Sequence, residues 1–273
     1  MATSKKELAK SEAQLPSYYD YGNLSGAGAE DITADDTLLP FVRIAQPLSP
    51  ELEKKEEKYI PGLEAGQYFN TSTQRKYGRS DEEGCPWVVH VCVKERAFAE
   101  FVPRNDGGGF VGQRVETDPL VMDLRAKFGK FGKLINEEDN TEIIETYYLF
   151  GIVPPDENNP DPEAIVLPFA STGITPVKQY LMRMKPLLQR SIPIYAPRVR
   201  IVTHYTQNKK GKFYKPELRF DGDAPRDYLL SPDDPLMKVC DELRISVKAG
   251  QVKADYANVR NVTDEGEEER EAF

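Results

Sequence analysis

The chain has 273 residues, with 36 Lys and Arg against 45 Asp and Glu and a formal net charge of −9. That length allows one large domain or two small ones around a sizeable core, and the longest apolar runs, such as Trp87–Val93, are too short to cross a membrane. Three cysteines, Cys85, Cys92 and Cys240, form too sparse and odd a set for a disulfide framework. Together with an N-terminus that lacks an apolar signal region, they argue for a reducing, cytoplasmic setting.

Residues 1–35 are polar and small, with no periodic apolar pattern, and read as a flexible leader. Order is expected from Leu38–Ala45, whose β-branched and aromatic content suits a strand. Ser49–Lys58 is charged and reads as a loop or short helix, and Gly66–Thr73 returns to strand character. Two strands are then marked, Trp87–Val93 and Ala97–Val102, with Lys94-Glu95-Arg96 as the turn between them. A loop follows at Gly107–Gly109. Asp118-Pro119 places an N-cap before a proline at the first helical position, and Leu120, Val121, Leu124 and Phe128 give one apolar face before Gly129. Ile143–Val153 and Ile165–Ala170 read as strands separated by an exposed Pro/Asp/Asn loop.

Thr175-Pro176 opens a helix expected to falter near Pro186. Arg198–Tyr205 alternates as a strand and leads through Asn208–Gly211, as a hairpin, into Lys212–Phe220. Asp234-Pro235 opens a last helix with Leu236, Val239, Cys240, Leu243 and Val247 on one face and Gly250 as its stop. The expected architecture is an antiparallel β domain with about three helices, spanning residues 36–255. It is followed by a disordered acidic tail, residues 256–273.

Signatures of catalysis are thin. His90 and His204 sit inside alternating strand patterns and read as structural histidines. Cys85, His90 and Cys92 are spaced like part of a zinc set, but no fourth ligand or second cysteine pair accompanies them. The Gly107–Gly109 run lacks the Gly-Lys-Ser/Thr of a phosphate loop, and the carboxylates show no two-metal pattern. No catalytic residue, metal or cofactor is assigned, and the chain is not expected to be an enzyme.

Charge distribution is more informative than its sum. From Ile165 to Arg219 there are eleven Lys and Arg against one acid, Glu217. Aromatics interleave with these cations: Phe169, Tyr180, Tyr195, Tyr205, Phe213, Tyr214 and Phe220. Single-stranded nucleic acid is held by phosphate neutralisation and by base stacking, the latter about 1–3 kcal/mol per base. The expected phosphate contacts are Lys178, Arg183, Lys185, Arg198, Arg200, Lys209, Lys210, Lys212, Lys215 and Arg219. The expected stacking rings are Tyr195, Tyr205, Phe213 and Tyr214, although strand periodicity turns about half of such rings into a core.

The last ten residues, DEGEEEREAF, hold six acids and one arginine before a terminal phenylalanine. An acidic tail ending in Phe, behind a β-rich basic and aromatic body, resembles the single-stranded DNA-binding proteins of bacteria and bacteriophages. The matching residues are Asp264, Glu265, Glu267, Glu268, Glu269, Glu271 and Phe273. Arg270 and the absence of a proline before Phe273 depart from the bacterial pattern. The segment LPFVRIAQPLSPELEKKEEKYIPGLEAGQYFN is also similar to sequence that recurs in phage proteins. The resemblance implies an OB-fold core that binds single strands across one face. It also implies a tail that docks replication or recombination enzymes, its Phe in an apolar pocket.

The resulting expectation is a mainly β chain with a few helices (α+β), an OB-fold-like antiparallel barrel with helical insertions. It would bind and protect single-stranded DNA in phage replication and recombination and recruit partner enzymes through its tail. A virion or assembly protein with a solubilising tail and a metal-dependent nuclease are the alternatives, and self-association is left open.

Overall fold

Proline at position 40 divides the first expected strand in two, because it has no N–H to give a ladder. The computed structural model describes residues 38–78, 81–103, 106, 108–129, 134–208 and 211–254. Leu38–Leu39 (β1) precedes the proline. Val42–Ile44 (β2) follows it and joins Tyr68–Asn70 (β3) and Lys76–Tyr77 (β4) in a small antiparallel sheet. Of the charged stretch between β2 and β3, Pro50–Leu52 forms a single 3-10 turn.

Next come Trp87–Val102 (β5), Gly109–Arg114 (β6), the helix Pro119–Phe128 (α1), Leu134–Asn136 (β7), Thr141–Val153 (β8) and Glu163–Ala170 (β9). The helix Ile174–Leu188 (α2) leads to the hairpin of Val199–Asn208 (β10) and Gly211–Phe220 (β11). A short helix Pro225–Tyr228 (α3), the helix Pro235–Lys248 (α4) and Lys253–Ala254 (β12) complete the described chain. Here β12 lies parallel to β1, with Leu39 opposite Ala254.

β5 is one strand of 16 residues rather than two. The expected turn at Lys94–Arg96 is absent, since these residues pair with Leu149, Tyr148 and Tyr147 of β8. Their charges are satisfied on the sheet surface. The Lys94 ammonium lies 4.1 Å from the centroid of the Tyr147 ring, and Arg96 donates to Glu145 at 2.8 Å and to Glu116 at 2.6 Å. A charged triplet breaks a strand only when its heads need solvent, and these do not.

The large sheet runs β11-β10-β5-β8-β7, with β6 also on β5 and β9 also on β8. β8 occupies one edge of β5, so β10 and β6 share the other, at opposite ends of the strand. At Cys92 the register slips: Val91 opposes Gly151 and Val93 opposes Phe150. The extra residue makes a bulge, which bends the strand and reverses its side-chain alternation. Trp87, Val89 and Val91 therefore pack with Val177, Tyr180 and Met184 of α2. Val93, Ala97, Ala99 and Phe101 pack instead with Cys240, Leu243 and Val247 of α4. A third cluster seats Val121 and Leu124 of α1 on Phe98, Leu134 and Ile143. Among the described residues the fold is mainly β with four helices, an α+β arrangement whose antiparallel sheet curls into a half-barrel, consistent with an OB-like architecture.

α2 ends two residues beyond Pro186, in keeping with the expected faltering near that proline. The proline falls in the last turn, where the helix loses only one hydrogen bond before it ends. α4 begins and ends as its sequence implies. Asp234 accepts from the Leu236 N–H at 2.9 Å, and Gly250 takes φ +70. Beyond Gly250, the Gln251 N–H reaches the Ser246 carbonyl at 2.9 Å, closing a Schellman motif. Among the described residues no helix is long and apolar enough to cross a membrane.

The bulge also requires a glycine opposite it. A Cβ on Gly151 would lie 2.8 Å from the His90 carbonyl oxygen and 2.9 Å from Val89. Replacing Gly151 by Ala is expected to cost about 1–3 kcal/mol of stability through overpacking, read as a lower denaturant midpoint. An unchanged midpoint would show that β8 has room there.

Candidate nucleic-acid interface

The β10–β11 hairpin forms because two alternating segments pair antiparallel from Val199–Phe220 to Asn208–Gly211, and its register sorts the basic window into two faces. Val199, Ile201, Thr203 and Tyr205 lie opposite Phe220, Leu218, Pro216 and Tyr214. Two of these pairs, Val199 with Phe220 and Ile201 with Leu218, face the core under α2. The other face carries Arg200 opposite Arg219, Val202 opposite Glu217, His204 opposite Lys215 and Thr206 opposite Phe213. At about 3.3 Å per residue, the run from Arg219 to Phe213 is roughly 20 Å long.

On this outer face the cations are unevenly paired. Arg200 donates to Asp221 at 2.7 Å, and Arg198 reaches the same carboxylate at 3.5 Å. Arg219 is exposed and has no ion pair among the described residues. Arg200 and Arg219 stand directly opposite, an arrangement that is repulsive unless an anion lies between or beside them. With Asp221, the three guanidinium groups line a shallow depression. Toward the tip, His204 meets Glu217 at 2.7 Å. There the Lys215 ammonium lies 5.0 Å from the centroid of the Phe213 ring. Lys212 is exposed, while Lys209 and Lys210 lie outside the described residues, as does the whole tail from Asp264 to Phe273.

The α2 cations are elsewhere. That helix covers the core face of the hairpin, so Lys178, Arg183 and Lys185 do not share the outer face with Arg200 and Arg219. Lys178 joins Lys94 over Tyr147, 5.8 Å from the ring centroid. Arg183 donates to the Leu218 carbonyl at 3.2 Å, and Lys185 is exposed in the last helical turn.

The expected stacking rings also separate. Tyr205 is 52% exposed and meets Tyr214 edge-on at 5.4 Å, on the inner face of the hairpin. Phe213 is half-buried on the outer face. Tyr195 is held by its hydroxyl, which donates to Asp241 at 2.9 Å, and packs into the α4 core. Burial first, then this bond to a carboxylate, raises the Tyr195 phenol above its ordinary range.

β11 is the outermost strand of its sheet, and its free edge is closed by residues from distant parts of the chain. The Gln46 side chain acts as a peptide group: its Nε2 donates to the Tyr214 carbonyl at 2.9 Å and its Oε1 accepts from the Tyr214 N–H at 2.7 Å. Two residues on, Pro216 has no N–H to present, and beyond it Arg183 takes the Leu218 carbonyl. Gly66 allows the Tyr214 ring to close down, since a Cβ there would sit 2.5 Å from it. Gln46 and Gly66 were not legible as site residues. Nothing local marks an amide or a glycine that acts across about 150 residues of chain.

Among the described residues no three His, Cys, Asp or Glu side chains converge as metal ligands. Cys85, Cys92 and Cys240 are free and buried. Cys92 donates to the His90 carbonyl at 3.5 Å.

The model of a family described as Pam3 phage gp34-like protein matches residues 9–253. No curated protein sequence matches the chain, and no solved structure matches it.

His90 lies behind this surface, fully buried, with Nδ1 3.0 Å from the Tyr195 carbonyl. That acceptor places the proton on Nδ1, and Nε2 has no hydrogen-bond partner. Burial, reinforced by Arg198, lowers its pKa below the ordinary 6.5. The unfolded chain therefore binds a proton near pH 6.5 that the native state refuses, so the stabilisation is complete above that pH and is lost as pH falls toward the native pKa. Stability should decline below about pH 6.5 with a contribution of up to about 1.4 kcal/mol per pH unit. In His90→Asn, which keeps a donor for Tyr195, this slope should shrink by one proton; an identical slope would assign the decline to other groups.

Proposed function

For a chain that belongs to the Pam3 phage gp34-like protein family, we propose a role as a non-catalytic single-stranded DNA-binding protein. It would act in phage DNA replication or recombination within the host cytoplasm. The observation that carries this reading is the outer face of the β10–β11 hairpin. It aligns Arg200, Arg219 and Lys215 with the Phe213 ring on one extended surface. Such a surface offers phosphates a row of cations and offers bases a ring to stack on, the two forces that hold a single strand irrespective of sequence. It offers no recognition helix for a duplex groove.

The acidic segment ending in Phe273 supplies the second half of the proposal. Its six carboxylates can occupy the same cations when DNA is absent, and a bound strand would release the segment for a partner enzyme. Burial of the Phe273 side chain in a fitted pocket would contribute roughly 1.5–3 kcal/mol to that docking, which charge alone could not direct.

The purified chain is expected to retard a dT oligomer at low salt, with affinity falling steeply as salt rises. Arg219→Ala should weaken binding and reduce the salt slope by about 0.7, the value for one phosphate contact on a single strand. Phe213→Ala should cost about 1–3 kcal/mol with the slope unchanged. Removing residues 264–273 should preserve or tighten DNA binding and abolish partner recruitment. Absence of any retardation at low salt would end this reading.

A further inference from the structure

We propose that the solvent face of α2 is a docking surface for the acidic segment Asp264–Phe273 of the same chain. The inference stands apart from the single-strand reading, because α2 covers the core face of the β10–β11 hairpin, opposite the outer face on which that reading rests.

Charge pairing separates α2 from the other long helices. α4 neutralises its cations with acids of its own, Lys238 with Glu242 and Arg244 with Asp241. In α1, Arg125 meets Glu145 and Lys127 meets Glu137. α2 has no acid between Ile174 and Arg190, and so forgoes the opposite-charge pairs that support an exposed helix. Lys178, Arg183, Lys185 and Arg190 have no ion pair among the described residues. Lys178 lies over the Tyr147 ring and Arg183 donates to a main-chain carbonyl, neither of which cancels a charge.

Helical spacing sets these cations around an apolar centre. Val177, Tyr180, Met184 and Leu187 are buried, and Met182, on the opposite side of the helix, is 74% exposed. Lys178 and Lys185 lie about one turn before and after it on one flank, with Arg183 on the other. Leu188 adds a second exposed aliphatic group near the end of the helix.

This combination selects the class of partner. A nucleic acid would find cations on α2 but no ring for its bases, since Tyr180 is fully buried. An apolar surface would bury uncompensated charge. An acidic peptide with one aromatic side chain matches both elements: carboxylates meet the cations, and a ring meets the Met182 thioether, a favourable sulfur–aromatic contact. Asp264–Phe273 is such a sequence, with six acids ahead of Phe273. Residues 255–273 can span up to about 65 Å when extended. That exceeds the width of a domain whose radius of gyration is about 17 Å, so α2 is within reach of the chain beyond Ala254. In the single-strand reading, DNA that clears the segment from the hairpin leaves α2 as its seat, and a partner enzyme would compete with that seat.

The test is NMR of the full chain labelled with 13C at its methionine methyl groups, with Met182→Leu to assign the Met182 signal. At low salt the Met182 signal should differ between the wild type and Phe273→Ala, through the ring current of Phe273. The signal of Met122, which is also exposed, should not. Rising salt should move the wild-type signal to its position in Phe273→Ala. The double variant Lys178→Glu, Lys185→Glu should lose the shift while keeping its affinity for a dT oligomer. A Met182 signal identical in wild type and Phe273→Ala overturns the docking. A shift that grows with protein concentration places the segment on a second copy and overturns docking within the chain. A dT oligomer that moves the Met182 signal in Phe273→Ala makes α2 a DNA surface and overturns it as well. Failure to bind dT at all would overturn the single-strand reading, a result distinct from each of these.

Discussion

The bulge at Cys92 is the constraint on which the other parts of this molecule depend. Without it, the odd-numbered residues of β5 would all face one way, and a single side of the strand would have to cover both α2 and α4. With it, Trp87, Val89 and Val91 serve one core and Val93, Ala97, Ala99 and Phe101 serve the other. The same extra residue bends β5 enough for β10 and β6 to divide one edge between them. The β10–β11 hairpin then continues past the last β5 pairing at Trp87, and its outer face is exposed at Arg219 and His204 but buried at Val202.

A protruding hairpin brings a hazard that the chain counters with side chains rather than another strand. An open edge such as that of β11 invites pairing with other chains. Here Gln46 imitates a strand at Tyr214, proline removes the donor at position 216, and Arg183 occupies the carbonyl of Leu218. These devices also decide which residues remain for a ligand. Arg183 is held to the main chain, and Tyr214 becomes a fixed ring rather than a mobile platform.

Much of this was legible where the signal is local. α1 and α4 follow from Asp-Pro starts, apolar spacing and glycine stops, and the β10–β11 hairpin follows from alternation around its turn. Lys94–Arg96 was misread because charge in a strand is ordinarily solvated, whereas Tyr147, Glu145 and Glu116 receive these heads from elsewhere in the chain. Pro186 marked the end of α2 to within two residues. The short strands β4, β7 and β12 carry too few residues for any period to show. For the proposed site, the window from Ile165 to Arg219 contains the β10–β11 hairpin but could not divide it into faces. Register alone separates Arg200 and Arg219 from Lys178 and Lys185, and Phe213 from Tyr205.

Division into faces also bears on the apparent conflict between an acidic chain and the polyanionic partner proposed for it. A charge is felt only over about 8 Å at physiological ionic strength, so the sum of −9 says little about any one surface. Pairing says more. Arg75, Arg96 and Arg125 are each bound to carboxylates and contribute little field beyond their own networks. On the outer face of the hairpin, Asp221 is shared by Arg198 and Arg200, and Glu217 is engaged by His204. That leaves Arg219 without an ion pair among the described residues, beside a like charge and in a depression that Asp221 and Asp223 also line. In the proposed reading, a phosphodiester placed there would meet a guanidinium that no carboxylate among the described residues engages, a stronger reason to bind than any count of basic residues.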